Sequence, residues 1–348
     1  MPESVIGSGE ADGAEGADRT DGDDRTDGAR GPGEAGGAAE HRAGFVALVG
    51  RPNVGKSTLT NALVGEKVAI TSSKPQTTRR AIRGILTRED AQIILVDTPG
   101  VHRPRTLLGE RLNDLVRETL TEVDVVGFCL PADQKIGPGD RFIAEDLAEM
   151  RQGRRGPKVV AIVTKCDLVR PERIAEHLMD VDQLLDVDAI VPISAVTGRQ
   201  IDDLVGVIAG LLPESPQLYP DGQLTEESDE DRIAELIREA ALEGVRDELP
   251  HSIAVVVEEI AETDPDGDPF AEIAPGEGRL VVRASLFVER DSQKGIIIGR
   301  GGSRLREVGS HARAGINQLL GRTVHLDLRV KVAKDWQRDP RQLGRLGF

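Results

Sequence analysis

Five short apolar runs recur along the first two thirds of the chain: Phe45–Gly50, Gln92–Val96, Val123–Leu130, Val159–Thr164 and Ala189–Ile193. All are β-branched or Leu-rich, and none alternates with polar residues. Such continuity marks parallel strands buried on both faces. Stretches with helical spacing lie between them, at Lys56–Val64, Leu107–Leu120, Arg141–Met150 and Ile201–Leu211. Alternation of this kind predicts a three-layer, mostly parallel α/β sheet over 43–212. Pro213, Pro216 and Pro220 then exclude both helix interior and sheet ladder, which predicts a linker over 213–230. Beyond it the pattern changes. An amphipathic helix, Asp231–Asp247, precedes strands at Ser252–Ile260 and Arg279–Arg290, which are separated by a Gly/Pro/Asp loop, Glu262–Gly278. Two helical stretches joined by a glycine turn follow, then a strand at Thr323–Val332. These elements predict a small α+β domain over 231–348.

Composition narrows the class. Over 348 residues, 39% hydrophobic and 30% charged residues allow a sizeable core, and 2% aromatics make that core aliphatic. No apolar run is long enough to span a bilayer. The first residues have neither a basic n-region nor an apolar h-region, so secretion is not expected. Two cysteines, Cys129 and Cys166, make neither a disulfide framework nor a cysteine zinc site. The expectation is a soluble cytoplasmic protein. Residues 1–42, dominated by Gly, Ala, Asp and Glu, lack the aliphatics to offset chain entropy, which predicts a disordered acidic tail. The net charge of −16 is uneven: −7 over 1–42, but +9 over 278–348. A basic block on an acidic protein is either a localised polyanion site or a solvated face.

Chemistry begins at Gly50-Arg51-Pro52-Asn53-Val54-Gly55-Lys56-Ser57, a G-x-x-x-x-G-K-[ST] loop between an apolar strand and a helix. Glycines let backbone N–H groups close on a phosphate at a helix N-terminus. Lys56 is expected to reach the β- and γ-phosphates and Ser57 to ligate Mg²⁺, with Thr58 beside it in the nucleotide-binding set. Asp97-Thr98-Pro99-Gly100 ends the next strand. Asp97 there can hold the metal through water, and the Gly100 N–H can sense the γ-phosphate. Thr164-Lys165-Cys166-Asp167 and Ser194-Ala195 end two later strands. The Asp167 carboxylate can accept from guanine N1–H and the 2-amino group, Lys165 can lie along the base, and an N–H near Ala195 can meet O6. Order and spacing favour guanine over adenine.

The second domain carries Ile298-Gly299-Arg300-Gly301-Gly302-Ser303-Arg304-Leu305 between helical stretches, the I-G-x-x-G-x-x-L pattern of KH domains. That loop clamps the backbone of single-stranded nucleotides. Gly299, Gly301 and Gly302 would admit phosphates, Arg300 and Arg304 would bring charge, and Ile296 and Ile298 would line a groove for bases. A cluster of helix-capping glycines is the plainer alternative. The element order fits the prokaryotic, type II, form of the domain. Trp336 is either a packing anchor or a stacking surface for RNA. Arg154 and Arg155 read as solvated charge.

With these motifs in place, residues 44–212 resemble a translation-factor-type small GTPase domain, and similarity to the bacterial Era GTPase family extends to Phe348. Val332–Pro340 resembles that family too. The resemblance implies that Gln76-Thr77-Thr78-Arg79 is a first switch, with Thr78 on Mg²⁺ when GTP is bound. Asp97–Gly100 with Val101-His102-Arg103-Pro104 would be the second. Lys56, Thr78 and Gly100 are then the candidate catalytic residues, and Ser57, Thr78 and Asp97 the metal set. GTP or GDP and Mg²⁺ are the implied ligands. Asn53 resembles an asparagine that holds K⁺, although it can equally be a turn residue. The implied partners are the 3′ end of 16S rRNA and the 30S subunit during its assembly, with peripheral inner-membrane contact as a further candidate and no DNA.

Three features depart from the family: Thr164 where Asn is usual, Arg80 where His is frequent, and the acidic tail. Val101 also stands where Ras-like enzymes place a water-orienting Gln, so slow intrinsic turnover is expected. The alternative is an RNA-binding assembly chaperone for which GTP is a structural ligand.

Overall fold

The computed structural model describes residues 41–348 except 73, 75–76, 102–103, 105, 153–155, 246–248 and 265–277. Gln76, His102, Arg103, Arg154, Arg155, most of the 262–278 loop and the acidic tail up to residue 40 lie outside the described residues.

The first domain runs β1 (Arg42–Val49), α1 (Lys56–Val64), β2 (Ile82–Thr87), β3 (Ala91–Asp97), α2 (Leu107–Glu122), β4 (Val125–Pro131), α3 (Pro138–Arg151), β5 (Lys158–Thr164), α4 (Pro171–Asp182), β6 (Ala189–Pro192) and α5 (Ile201–Leu211). Its strand order is β2-β3-β1-β4-β5-β6. All neighbours are parallel except β2, which runs antiparallel to β3. Side chains alternate between the faces of a strand. Val46 and Leu48 of β1 therefore pack with Leu59 and Leu63 of α1 and Leu204 and Ile208 of α5. Ala47 and Val49 pack the other way, with Val116 of α2, Ile143 and Leu147 of α3, and Ile174 of α4. Both faces being dry explains the unbroken apolar runs.

Two elements of the first domain escaped the sequence pattern, β2 and α4. β2 is an edge strand holding Arg83 and Gly84, and α4 opens on Pro171 and lies against the sheet on one stripe. The segment read as a linker over 213–230 lies along the edge of the sheet on its way to the second domain. Ile85 N–H donates to the Leu224 carbonyl at 2.9 Å, Thr225 Oγ1 donates to the Arg83 carbonyl at 2.6 Å, and Gln92 Oε1 accepts from Leu218 and Tyr219 N–H at 2.8 and 2.9 Å. Backbone groups of an edge strand need partners, and this segment supplies them. The ordered chain also reaches back before Gly44: Arg42 already belongs to β1, and its guanidinium donates to the Leu212 carbonyl at 2.6 Å.

The second domain runs α6 (Asp229–Leu242), α7 (Leu249–Ser252), β7 (Ala254–Thr263), β8 (Arg279–Val288), α8 (Asp291–Ile298), α9 (Ser303–Leu320), β9 (Val324–Val332) and α10 (Pro340–Arg345). β8 is central, antiparallel to β7 and parallel to β9. Ile233 and Ile237 of α6 and Ile316 of α9 cover Val282 and Leu286 of β8. α6 stops five residues earlier than its apolar pattern suggested, ahead of Gly244 at φ 67°.

A separate apolar cluster joins the domains: Leu108 and Leu112 of α2 meet Phe287, Trp336, Leu343 and Leu346. Trp336 is wholly buried and its Nε1–H donates to the Ser252 carbonyl at 3.0 Å. It is the packing anchor. The RNA-stacking alternative falls, because no base can reach that ring.

Ile162, fully buried in β5 between β4 and β6, tests the aliphatic core. Ile162→Ala should lower unfolding free energy in urea by about 2–5 kcal/mol.

Candidate functional site

The turn from β1 to α1 spends its residues on close approach. A Cβ on Gly50 would come 2.7 Å from the Cys129 carbonyl and 2.9 Å from Val54 Cγ2. Gly55 caps α1 in the left-handed region, at φ 104°. α1 has no side-chain cap and no acidic residue in its first turn. Its first N–H groups and the positive end of its dipole are thus left for an anion. Lys56, buried, folds back so that Nζ donates to the carbonyls of Gly50 at 3.2 Å and Arg51 at 3.3 Å. Burial holds its pKa below the ordinary lysine value, against the upward pull of Asp97. Arg51 is held from outside the loop. Its Nε donates to Asp140 Oδ1 at 2.7 Å, while Asp140 Oδ2 accepts from Gly137 N–H at 2.8 Å and so caps α3.

At the open end of α1 three oxygen side chains meet. Ser57 Oγ donates to Asp97 Oδ2 at 2.6 Å, and Thr78 Oγ1 lies 3.0 Å from Ser57 Oγ and 3.3 Å from Asp97 Oδ2. Asp97 Oδ1 is buried with no hydrogen-bond partner among the described residues. Burial raises the Asp97 pKa, with Lys56 pulling the other way. Two hydroxyls beside a carboxylate with one unsatisfied oxygen are hard donors that suit Mg²⁺. The structure therefore brings the predicted metal set together.

Gly100 closes over the loop: a Cβ there would come 2.7 Å from Pro52 N, and the following Val101 N–H donates to the Gly50 carbonyl at 3.2 Å. Thr98 and Pro99 are buried behind, with Thr98 Oγ1 donating to the Leu48 carbonyl at 2.7 Å. They aim the loop and do not line the cavity. That cavity, about 490 Å³, is bounded by Asn53, Gly55, Lys56, Ser57, Thr58, Thr78, Gly100 and Lys165, joined by Thr71 and Ser72, which the motif reading missed. Its volume is in the range of small-ligand clefts. Cys129 beneath the loop is buried, its thiol pushed up to about 12 by burial, which leaves it chemically inert.

The predicted base end is assembled from β5 and β6. Thr164 Oγ1 donates to the Val54 carbonyl at 2.6 Å. This hydrogen bond ties the predicted base motif to the phosphate loop. Lys165 sits in the left-handed region at φ 58°, with Nζ 3.8 Å from Asp133. Asp167 is exposed and its Oδ1 accepts from Ser194 Oγ at 2.7 Å. Ala195, half-buried, follows at the same edge.

In the second domain Gly299, Gly301 and Gly302 take φ of 71°, 59° and 75° between α8 and α9. A Cβ on Gly299 would come 2.8 Å from Arg304 Cβ. α9, like α1, opens on a left-handed glycine with neither side-chain cap nor early acid. No other described helix of eight or more residues lacks both. Arg300 is exposed at this loop. Arg304 is not available in the same way: its guanidinium donates to the carbonyls of Ala241 and Glu243, satisfying the end of α6. Arg306, which the motif did not flag, donates to the Gly301 carbonyl at 2.9 Å and is the second exposed guanidinium at the loop. Ile296 is 54% exposed, whereas Ile298 is half-buried against the domain core.

The family model described as "50S ribosome-binding GTPase" matches residues 45–165, and that of the KH domain matches 248–337. "GTPase Era" of Mycolicibacterium paratuberculosis is 63% identical over 310 residues, covering 89% of this chain and 99% of the relative. Its Nocardioides counterpart is 61% identical over 315 residues, covering 88% and 96%. The chain belongs to the Era GTPase family. It is accordingly a GTPase, with a P-loop domain followed by a KH domain. A solved Era in complex with MgGDPNP and nucleotides 1506–1542 of 16S ribosomal RNA superposes with a TM-score of 0.80 at 36% identity, covering 88% of this chain and 99% of that one. An Aquifex aeolicus Era variant bound to GDP·AlF4⁻ gives the same TM-score, identity and coverage. Among the described residues no helix is long and apolar enough to cross a membrane.

The Thr164 tie generates a test in this Era GTPase. Thr164→Ala should weaken GDP binding by about 5–10-fold, the value of one lost hydrogen bond in a buried setting, while Thr164→Asn should restore it. Titration with a fluorescent GDP would show this.

Proposed function

We propose that this GTPase is a nucleotide-gated clamp for the single-stranded 3′ end of 16S rRNA, acting in the cytoplasm during 30S subunit assembly. The observation that carries the reading is the pairing, in one chain, of two glycine loops at uncapped helix starts, one beside the Ser57–Thr78–Asp97 cluster and one at Gly299–Gly302. The solved relative that holds a GTP analogue and a 16S rRNA segment together supports it. The working units are the GTPase domain at 43–212, the connecting segment at 213–230 and the RNA-binding domain at 231–348.

In this reading Gly50, Asn53, Val54, Gly55, Lys56, Ser57 and Thr58 cradle the phosphates, with the charge of Lys56 on the β- and γ-oxygens. Asp167, Lys165, Ser194 and Ala195 select guanine, and Thr164 keeps that edge in register with the loop. Ser57, Thr78 and Asp97 would hold Mg²⁺, which when bound neutralises charge on the phosphate oxygens. The Gly100 N–H senses the γ-phosphate. Phosphoryl transfer needs positioning and electrostatics and no covalent intermediate. Val101 offers no hydrogen bond to water, so turnover without a partner is slow. A K⁺ ion at Asn53 would supply the missing positive charge; equal turnover in KCl and NaCl would reject that part. Arg300 and Arg306 hold the RNA backbone and Ile296 faces the bases.

The test is affinity for a short RNA copying the 16S 3′ end, with the protein loaded with a GTP analogue or with GDP, at several salt concentrations. Binding should be tighter in the analogue state and fall with salt, as phosphate contacts require. Equal affinity in both states would uncouple the domains, and absence of binding would remove the RNA from the reading.

A further inference from the structure

Next to Thr78 the chain does something that neither glycine loop requires. Residues 77, 79 and 80 are all tied to the second domain. The Thr77 carbonyl accepts from the buried Arg238 guanidinium of α6, and Arg80 pairs with Asp231 of the same helix. Arg79 goes deepest. It is 3% exposed, its Nη1 donates to the Ile253 carbonyl at 2.6 Å and its Nη2 to the His251 carbonyl at 2.8 Å. Its guanidinium carbon lies 5.7 Å from the Trp336 ring centroid and 5.9 Å from that of Phe348, and those two rings stack at 5.5 Å. Two carbonyls and two aromatic faces form a desolvated cage, the setting in which cation–π attraction is strongest. The stretch continues to α2: Arg111 Nη1 donates to the Phe348 main-chain oxygen at 2.7 Å.

Consecutive residues send their side chains opposite ways here. Thr78 reaches Ser57 and Asp97, while Arg79 enters the cage. The backbone between them leaves little freedom for one to move without the other.

We propose that Arg79 is a positioning residue for the GTPase reaction: the Trp336–Phe348 cage grips its guanidinium and thereby holds Thr78 at the metal cluster. The second domain then helps build the nucleotide site, and closure of Thr78 is felt at Trp336. The inference rests on the reading of Thr78 as a metal ligand with GTP. Groups that orient a ligand from outside the coordination sphere are worth about 10–100-fold in metal affinity.

Trp336 is the only tryptophan, so its emission in the full chain reports the cage directly. Mg²⁺ is titrated into protein loaded with a non-hydrolysable GTP analogue, and in parallel with GDP. Native protein should show a saturable emission change with the analogue and none with GDP. Arg79→Ala and Phe348→Ala should each raise the half-saturating Mg²⁺ by about tenfold or more and leave GDP affinity within about twofold. Arg79→Lys, which keeps charge and loses the planar fork, should fall between. GTP turnover should lose kcat at saturating Mg²⁺ less than at limiting Mg²⁺. The milder Phe348→Ala and Arg79→Lys variants keep the test open if Arg79→Ala fails to fold. Native Mg²⁺ dependence in the folded Arg79 and Phe348 variants, or emission indifferent to nucleotide, overturns the latch. Thr78→Ala separates the two ideas. If it leaves Mg²⁺ dependence unchanged, the metal-ligand reading itself fails; if it shifts while the cage variants do not, only the latch fails.

Discussion

Everything at the nucleotide site depends on keeping one stretch of backbone, residues 50–56, curled tightly at the uncapped start of α1. Left alone, such a loop would collapse onto itself or hydrate. Here its neighbours hold it from three sides: Thr164 through the Val54 carbonyl, Asp140 through Arg51, and Val101 through the Gly50 carbonyl. Lys56 adds a strut across the loop from inside. Each tie uses a carbonyl or a side chain and none uses a phosphate-facing N–H of α1. The carbonyls are satisfied while the donors stay available, which is preorganisation in its simplest form.

The same physical device occurs twice. α1 and α9 both begin at a glycine with positive φ, without a capping side chain or early carboxylate. The other described helices of eight or more residues begin with acids or capping hydroxyls, which neutralise their own N-termini. Two uncapped starts on an otherwise acidic protein therefore stand out, and they fall at the two loops to which the proposed function assigns the nucleotide and the RNA backbone. The surrounding cations differ accordingly. Lys56 is buried and fixed, whereas Arg300 and Arg306 are exposed.

Between these sites lies a contact of another sort. A guanidinium is costly to bury unless its donors and charge are met, and Arg79 meets carbonyls from the approach to β7 and rings from the last turns of the chain. Arg238, also buried, meets the Thr77 carbonyl from the opposite side. The segment Thr77–Arg80 is thus part of the interface between domains, and it adjoins the Ser57–Thr78–Asp97 cluster.

The sheet, both glycine loops and the motifs at the ends of β3, β5 and β6 were legible in the sequence from local rules: buried strands read as unbroken apolar runs, and close backbone approach needs glycine. The sequence also singled out Ser57 and Asp97 from their motifs and Thr78 from family likeness, and the structure brings the three together. The sequence pattern missed β2 and α4, whose edge and surface positions dilute the apolar signal, and it gave no sign that the proline-rich linker pairs with an edge strand, because such pairing leaves no periodicity. Arg304 and Trp336 show the limit most clearly. A residue type announces that it can bind RNA; only the tertiary structure decides that the Arg304 guanidinium is turned onto the end of α6 and that Trp336 is shut inside the interface. The roles of Arg79, Arg306 and Asp140 were invisible for the same reason. Each depends on a partner distant in sequence or on the direction of one side chain, and no local pattern encodes either.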